Sequence, residues 1–426
     1  TMKKYNKYKD SGIEWIGEIP EHWEVKKLKF FADVVLGKML TPDDKGNYEL
    51  KAYLRAKNIE WTKPNVEDVK EMWFSESELN QYRVRKSDLL VSEGGEVGRT
   101  CIWNDEIEEC YIQNSVHKVS LLNNCNSIYF LNQFVLFGSK GHFDAIVNKI
   151  SIAHLTKEKL KDISFVYPPL DEQHSIATYL DRKTAQIDDL ISKKEKLIEL
   201  LKEERAAMIN QAVTKGLDNN VPMKDSGIEW LGEIPEGWEV KPLKHICNIQ
   251  GRVGYKGYTI SDLVEKGEGP YTLGAKHINK MNQLDLSQPE FISWEKYYES
   301  PEIMVFQNDL LLTQRGTLGK VVLIEENIGE ATINPSMVLL NKLKANGKFL
   351  YYFFCSEYFT KWIDLTNTAT AVPMISQQQL GNFKLTIPPE REQISIIEYL
   401  YEKQQIFNEL TLRISNQVAL LKEYKT

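Results

Sequence analysis

The segment Lys9-Asp10-Ser11-Gly12-Ile13-Glu14-Trp15-Ile16-Gly17-Glu18-Ile19-Pro20-Glu21-His22-Trp23-Glu24-Val25-Lys26 returns almost letter for letter from Lys224 to Lys241. A second pair of echoes follows: Pro168-Pro169-Leu170-Asp171-Glu172-Gln173 and Pro388-Pro389-Glu390-Arg391-Glu392-Gln393, each opening a long helical stretch. The two pairs recur at nearly the same offset, so the unit that repeats is the whole succession of leading segment, globular body and long helix. The sequence therefore predicts residues 1–170 and 216–389 as two globular domains, with spacer helices over 171–215 and 390–426.

With 426 residues and 42% hydrophobic content, two domains can each bury a core. No apolar run approaches the ~20 residues that span a bilayer, and the first residues lack an apolar signal core. A cytoplasmic location is expected. Five scattered cysteines, without Cys-x-x-Cys or Cys/His ligand spacing, predict neither a disulfide framework nor a structural zinc. A net charge of −7 argues against a protein that coats nucleic acid by charge alone. Basic clusters nevertheless occur at Arg55 to Asn58, Arg83 to Lys86, Arg252 to Lys256, Lys276-His277 and Arg315 to Lys320.

After Asp171, a natural N-cap, apolar residues fall at Ile176, Leu180, Ile187, Ile191, Ile198, Leu201, Met208, Ile209 and Ala212. This is the spacing of one helical stripe, and Gly216 stands ready as a C′ residue. About 43 residues give a rod of roughly 65 Å, too long and too charged on its flanks to be a buried core helix. The second copy supplies a partner, with Ile394, Ile397, Tyr401, Ile414, Val418 and Leu421 on its stripe. Because the second body lies between the two helices in sequence, pairing within the chain should be antiparallel, with an approximate two-fold axis across the pair.

Each body reads as mixed, β-rich α/β. Trp23 to Leu28 and Trp238 to Leu243 read as opening strands, and Asp88 to Ser92 and Asp309 to Thr313 as interior strands. The latter two run into glycine-rich turns, Glu93 to Arg99 and Gln314 to Lys320. Helical pairs are predicted from about Ser127 to Asn148 and Lys348 to Asp364. Asp33 to Ser87 and Asn248 to Asn308 align poorly, so a shared scaffold carries diverged surfaces.

Catalytic signatures fail on inspection. Pro42-Asp43 with Glu49-Leu50-Lys51 resembles a metal-dependent nuclease motif, but the gap is too short and the second copy has no counterpart. The glycine turns fit neither the dinucleotide fingerprint nor a P-loop. Asn334-Pro335-Ser336-Met337 lacks the second proline and the aromatic of the amino-methyltransferase motif. The seven histidines stand apart from one another. The chain reads as a binder with no catalytic or metal site.

The repeated Gly-Ile-Glu-Trp-x-Gly-x-Ile-Pro-x-x-Trp motif and the repeated Pro-Pro-x-x-Glu-Gln helix start closely resemble the specificity subunits of Type I restriction-modification systems, over essentially the whole chain. The resemblance implies two target-recognition domains, each reading half of a bipartite double-stranded DNA site, and an antiparallel coiled coil that sets the unread gap. It also implies two modification (methyltransferase) subunits using S-adenosylmethionine and two restriction subunits using ATP and Mg; this chain would bind no cofactor itself. Base pairs are distinguishable in the major groove, so loops bearing Arg, Lys, Asn, Gln, Ser or Thr should reach base edges, with phosphate contacts fixing position. The candidates are Lys38, Arg55, Lys57, Asn58, Arg99, Gln113 and Asn114 in the first body. In the second they are Arg252, Lys256, Lys276, His277, Arg315, Thr317, Lys320 and Asn334. Asn58 is expected to match the His277 region, Arg99 to match Lys320, and Asn114 to match Asn334. The rival reading is a two-headed coiled-coil scaffold that binds proteins without DNA selectivity.

Overall fold

The computed structural model describes residues 4–14, 16–146, 154–252, 257–367 and 372–425. The chain divides into two compact units, Thr1–Ile191 with Leu420–Thr426, and Ser192–Ala419.

In the first unit, the central sheet orders its strands as Ala32–Leu36, Val116–Leu121, Leu89–Ser92 and Thr100–Ile102, all antiparallel. Leu89, Leu90, Val91 and Ser92 are all buried, so this strand is covered on both faces and shows no alternation of buried and exposed positions. A second sheet pairs Glu49–Leu54 antiparallel with Lys70–Phe74 and parallel with Tyr111–Ile112. Helices Ser127–Ser139 and His142–Ile146 cover the core built on Phe130, Phe134, Phe137, Phe143 and Phe165.

The second unit repeats the plan. Its central sheet runs Asn248–Gly251, Met337–Asn341, Leu310–Thr313, Val321–Leu323. The adjoining sheet is built differently, from the short strands Leu263–Val264, Phe291–Ile292, Tyr271–Leu273 and Ala331–Ile333. The divergence foreseen at Asp33 to Ser87 and Asn248 to Asn308 thus falls largely on this second sheet and its loops. Helices Gly347–Phe354 and Glu357–Thr366 complete a core containing Trp238, Phe353, Phe359 and Phe383.

Each body is closed at its base. The leading strand Glu24–Lys27 pairs antiparallel with the last strand Ser164–Tyr167, and Glu239–Pro242 pairs with Lys384–Ile387. The predicted opening strands are thus shorter than expected, because Leu28–Phe30 and Leu243–His245 wind into 3-10 turns.

The two repeated motifs meet at this base. Trp23 Nε1 donates to Glu172 Oε2 at 2.9 Å, and Trp238 Nε1 donates to Glu392 Oε2 at 2.7 Å. The motif glutamine is buried beside them. Gln173 donates to the Pro168 carbonyl at 2.8 Å and accepts from Asn126 N at 2.9 Å.

The long helices span Leu170–Lys215 and Glu390–Lys425. The first begins one residue before Asp171, which sits in the first turn rather than at the cap, where its charge suits the dipole. Gly216 takes φ 81° beyond the last turn and donates to Ala212 O at 3.2 Å, the left-handed stop that favours glycine. Ile191, Ile209 and Ala212 of the predicted stripe are buried, whereas Leu180 is 37% exposed. The second helix differs more: Ile396, Leu400, Phe407, Ile414 and Val418 are its buried face, and Ile394 and Tyr401 are exposed. The packing of Ile396 and Leu400 into the second body's core fixes the rotation of the helix. The helices meet in both units. Lys425 Nζ reaches Asp188 at 2.7 Å in the first, and Lys194 Nζ donates to Gln417 Oε1 at 2.7 Å in the second. No helix among the described residues is long and apolar enough to cross a membrane.

Candidate nucleic-acid interface

In the first body, the strand Glu49–Leu54 ends in the 3-10 turn Ala56–Asn58. Asn58 is 2% exposed. Its Oδ1 accepts from Arg55 N at 3.0 Å, and its Nδ2 donates to the carbonyls of Asn65 and Asp68 at 2.9 and 3.1 Å. In the second body, the strand Tyr271–Leu273 ends in the turn Ala275–His277. His277, also 2% exposed, accepts at Nδ1 from Gly274 N (2.9 Å), which fixes the proton on Nε2, facing the Gln288 carbonyl at 3.1 Å. Burial pushes this imidazole below its ordinary value, ahead of the opposing pull of the Gln288 carbonyl. Amide and imidazole serve one task in the two copies.

A cation from beyond the glycine-rich turn braces each 3-10 turn. Arg99 donates from Nη2 to Ala56 O at 3.3 Å; Lys320 Nζ donates to Ala275 O at 3.1 Å and Ile278 O at 2.6 Å. Gly98 and Gly319, just before these cations, take φ 81° and 82°. The expected match of Arg99 with Lys320 is found, as is that of Asn58 with His277.

The third match is corrected by one residue. Gln113 N donates to Leu54 O at 3.0 Å, and Asn334 N donates to Leu273 O at 2.8 Å. Ser115 Oγ donates to Gln113 Oε1 (2.7 Å), and Ser336 Oγ to Asn334 Oδ1 (2.5 Å), while each serine accepts from the first residue of the 3-10 turn, Ala56 or Ala275. Gln113 is therefore the counterpart of Asn334, because the equivalent backbone bonds select it; Asn114 N bonds instead to Lys38 O at 2.8 Å. The two serines were not singled out from the sequence, although their common spacing from Gln113 and Asn334 is the signal that marks them.

Other candidates face inward. Lys38 is 7% exposed and pairs with Glu78 at 2.5 Å. Arg252 is buried, donating to Ile333 O and Thr332 Oγ1, both at 3.2 Å, with its guanidinium 5.3 Å from the Tyr258 ring centre. Arg55 and Lys57 share Asp68 at 2.8 and 3.3 Å, with Lys70 at 3.2 Å. Lys70, Lys57 and Arg55 together hold that carboxyl down at about 2. Lys57 is 73% exposed despite the pair. Lys276 pairs with Glu290 at 2.7 Å. Arg315 and Thr317 are exposed on the glycine-rich turn. Lys256 lies outside the described residues.

Among the described residues, no group of three or more His, Cys, Asp or Glu could hold a metal ion. Of the nuclease-like set, Lys51 pairs with Glu49 at 3.0 Å and with Glu109 at 2.7 Å.

The Type I restriction modification DNA specificity domain model matches residues 20–200 and again 235–420. The chain belongs to this family. The putative type I restriction enzyme MjaX specificity subunit of Methanocaldococcus jannaschii is 27% identical over 90% of this chain and 87% of its own. The EcoBI specificity subunit of Escherichia coli is 25% identical, over 79% and 71% respectively. The HsdS subunit of Thermoanaerobacter tengcongensis has the same fold, with a TM-score of 0.61 at 15% identity over 96% of this chain and 95% of that one. A chain from a type I R-M system solved in work on complex assembly and conformational transition aligns at a TM-score of 0.67, 16% identity, and 96% of both chains.

Proposed function

We propose that each body reads one half of an asymmetric bipartite DNA site, and that the pair of long helices, as an antiparallel coiled coil, sets the unread gap. The observation that carries this reading is the matched pair of braced turns. Both bodies hold a lysine-bearing 3-10 turn beside a glycine-rich turn with the same hydrogen bonds, while the residues around them differ: Arg55 against Gly274, Glu96 against Thr317. One docking frame with two sets of readout groups is what two unlike half-sites need. Lys57, Lys276, Arg315 and Thr317 have the exposure to meet phosphates or base edges; Asn58, His277, Arg99, Lys320, Gln113 and Asn334 hold the turn in shape. Lys38, Arg55, Asn114 and Arg252 support the loops around it, and Lys256 is kept as a candidate DNA contact on its place in the basic cluster Arg252 to Lys256 alone.

The antiparallel sense is supported within the second unit. Lys194 meets Gln417, while Ile209 and Ala212 share a core with Ile396 and Leu400, so the numbering descends on one helix as it rises on the other. Methyltransferase subunits would find exposed apolar ground on these helices, at Leu190 in one unit and at Leu197, Leu200 and Leu412 in the other, with restriction subunits joining that assembly. The experiment is methylation mapping of the reconstituted complex against a random duplex pool. Two unlike half-sites at a constant gap are expected; methylation without a sequence preference refutes the reading.

A further inference from the structure

The leading segment closes differently in the two copies. In the first, Tyr5 donates to Glu172 Oε2 at 2.5 Å, His22 Nε2 lies 2.6 Å from Glu172 Oε1, and Lys7 pairs with Glu21 at 3.7 Å. The Tyr5 ring packs 5.4 Å from the His22 ring and 6.0 Å from that of Trp23. The bonds from Tyr5, His22 and Trp23 outweigh burial to hold Glu172 below its usual range.

The second copy keeps the acceptors and loses what fills them. Glu392, Glu236 and Trp238 stand where Glu172, Glu21 and Trp23 stand in the first. The backbone equivalence is direct, since Glu21 N donates to Lys7 O at 3.1 Å and Glu236 N to Pro222 O at 2.9 Å. Yet Pro222 replaces Lys7, Gly237 replaces His22 and Asn220 replaces Tyr5. Asn220 is exposed and its backbone bonds locally to Asp218 at 2.9 Å. What remains is an open groove of about 680 Å³ lined by Pro222, Pro235, Glu236, Gly237, Glu392 and Ile396. Its floor is largely apolar, and the carboxylates of Asp218, Glu236 and Glu392 outnumber the one lysine, Lys215, on its rim.

We propose that this groove is a docking site for a short Tyr-x-Lys segment of a partner polypeptide, which would seat its phenol on Glu392 and its ammonium on Glu236. The occupant's chemistry is given by the first copy, where Tyr5-Asn6-Lys7 makes those two contacts from within the chain. An aromatic ring with a polar tip suits an apolar floor with a carboxylate at its end, and a basic segment suits the acidic rim. The inference goes beyond the DNA-reading proposal and stands or falls separately from it.

The test uses the full chain and a labelled peptide Lys-Tyr-Asn-Lys-Tyr, the sequence of residues 4–8, followed by fluorescence anisotropy. Saturable binding of one peptide per chain is expected. The Glu236→Gln, Glu392→Gln pair should weaken it by about tenfold or more, as for loss of hydrogen bonds to charged groups. Gly237→Trp, at an exposed position where a Cβ meets nothing within 4 Å, should abolish it by filling the groove, and Glu172→Gln should leave it unchanged. Absence of saturable binding, or binding indifferent to the two groove changes, overturns the proposal. A concentration-dependent dimer of the chain that is lost on Tyr5→Ala would assign the groove to a second copy and overturn the partner assignment.

Discussion

Gln393 Oε1 accepts the backbone N–H of Asn346 at 2.9 Å while its Nε2 donates to the Pro388 carbonyl at 2.9 Å. One side chain thus joins the proline pair, the start of the second long helix and the cap of helix Gly347–Phe354. Gln393→Leu removes the partner of the Asn346 N–H and leaves the buried Pro388 carbonyl unpaired, and should cost about 2 kcal/mol. Urea denaturation of the full chain should show an earlier transition for the second body, with that of the first in place.

The buried imidazole of His277 makes the second body acid-sensitive. Its folded pKa lies below the ordinary 6.5, so the unfolded state binds a proton first as the pH falls, and stability declines from about 6.5 downward until the folded pKa is passed. His277→Asn places the first copy's residue in the same cap and should remove that contribution. Thermal denaturation between pH 7.5 and 5 should show a flatter profile for the variant; an unchanged slope refutes the assignment.

Asp68 holds Arg55, Lys57 and Lys70 in one ion-pair cluster. Asp68→Asn should release them, strengthen DNA binding by the assembled complex and steepen its salt dependence by about one phosphate contact or more. The methylated sequence should stay the same. Titrations at several salt concentrations would reveal it, and a weaker complex would count against this surface.

Lys320 seals the Ala275 carbonyl of the turn Ala275–His277 and the Ile278 carbonyl just after it. Lys320→Met should relax selectivity in the half-site read by the second body and leave the other half-site strict. Lys320→Arg, which installs the first copy's cation, should restore it. Loss of selectivity in both half-sites would show that the bodies are not independent readers.

Inserting one further turn after Thr184-Ala185-Gln186-Ile187 adds about 6 Å of helix, against ~3.4 Å per base pair. The gap should lengthen by about one or two base pairs with both half-sites intact. Altered half-sites at an unchanged gap would refute the spacer role.

The duplication and the first long helix were legible because they rest on local rules. A stripe at helical spacing, a proline pair before it and a glycine after it predict Leu170–Lys215 almost to its ends. The face of the second helix was read only in part: Ile414 and Val418 are buried as expected, whereas Ile394 and Tyr401 are exposed although they satisfy the same periodicity as Ile396 and Leu400. Tertiary packing against Trp238 and Phe383, invisible to periodicity, decides between them. Polarity also pointed to Lys38, Asn58, His277 and Arg252, but polarity does not reveal direction. Lys38 and Arg252 are turned inward by partners distant in sequence, Glu78 and Ile333, and Asn58 and His277 by the backbone of the loop that follows each of them, at Asn65 and Asp68 and at Gln288. The one-residue error at Asn114 has a similar origin: two adjacent amides, Gln113 and Asn114, are separated only by the parallel pairing of Leu54 with Ile112.

The pairing of Glu24–Lys27 with Ser164–Tyr167, and of Glu239–Pro242 with Lys384–Ile387, brings the two ends of each body side by side. Whatever is threaded between Leu28 and Ile163 need only begin and finish about one strand spacing apart, ~4.8 Å, to sit on the same foundation. Each body thereby rests on a foundation of the same make, so that a new segment can be installed between its two closing strands without disturbing the foundation itself.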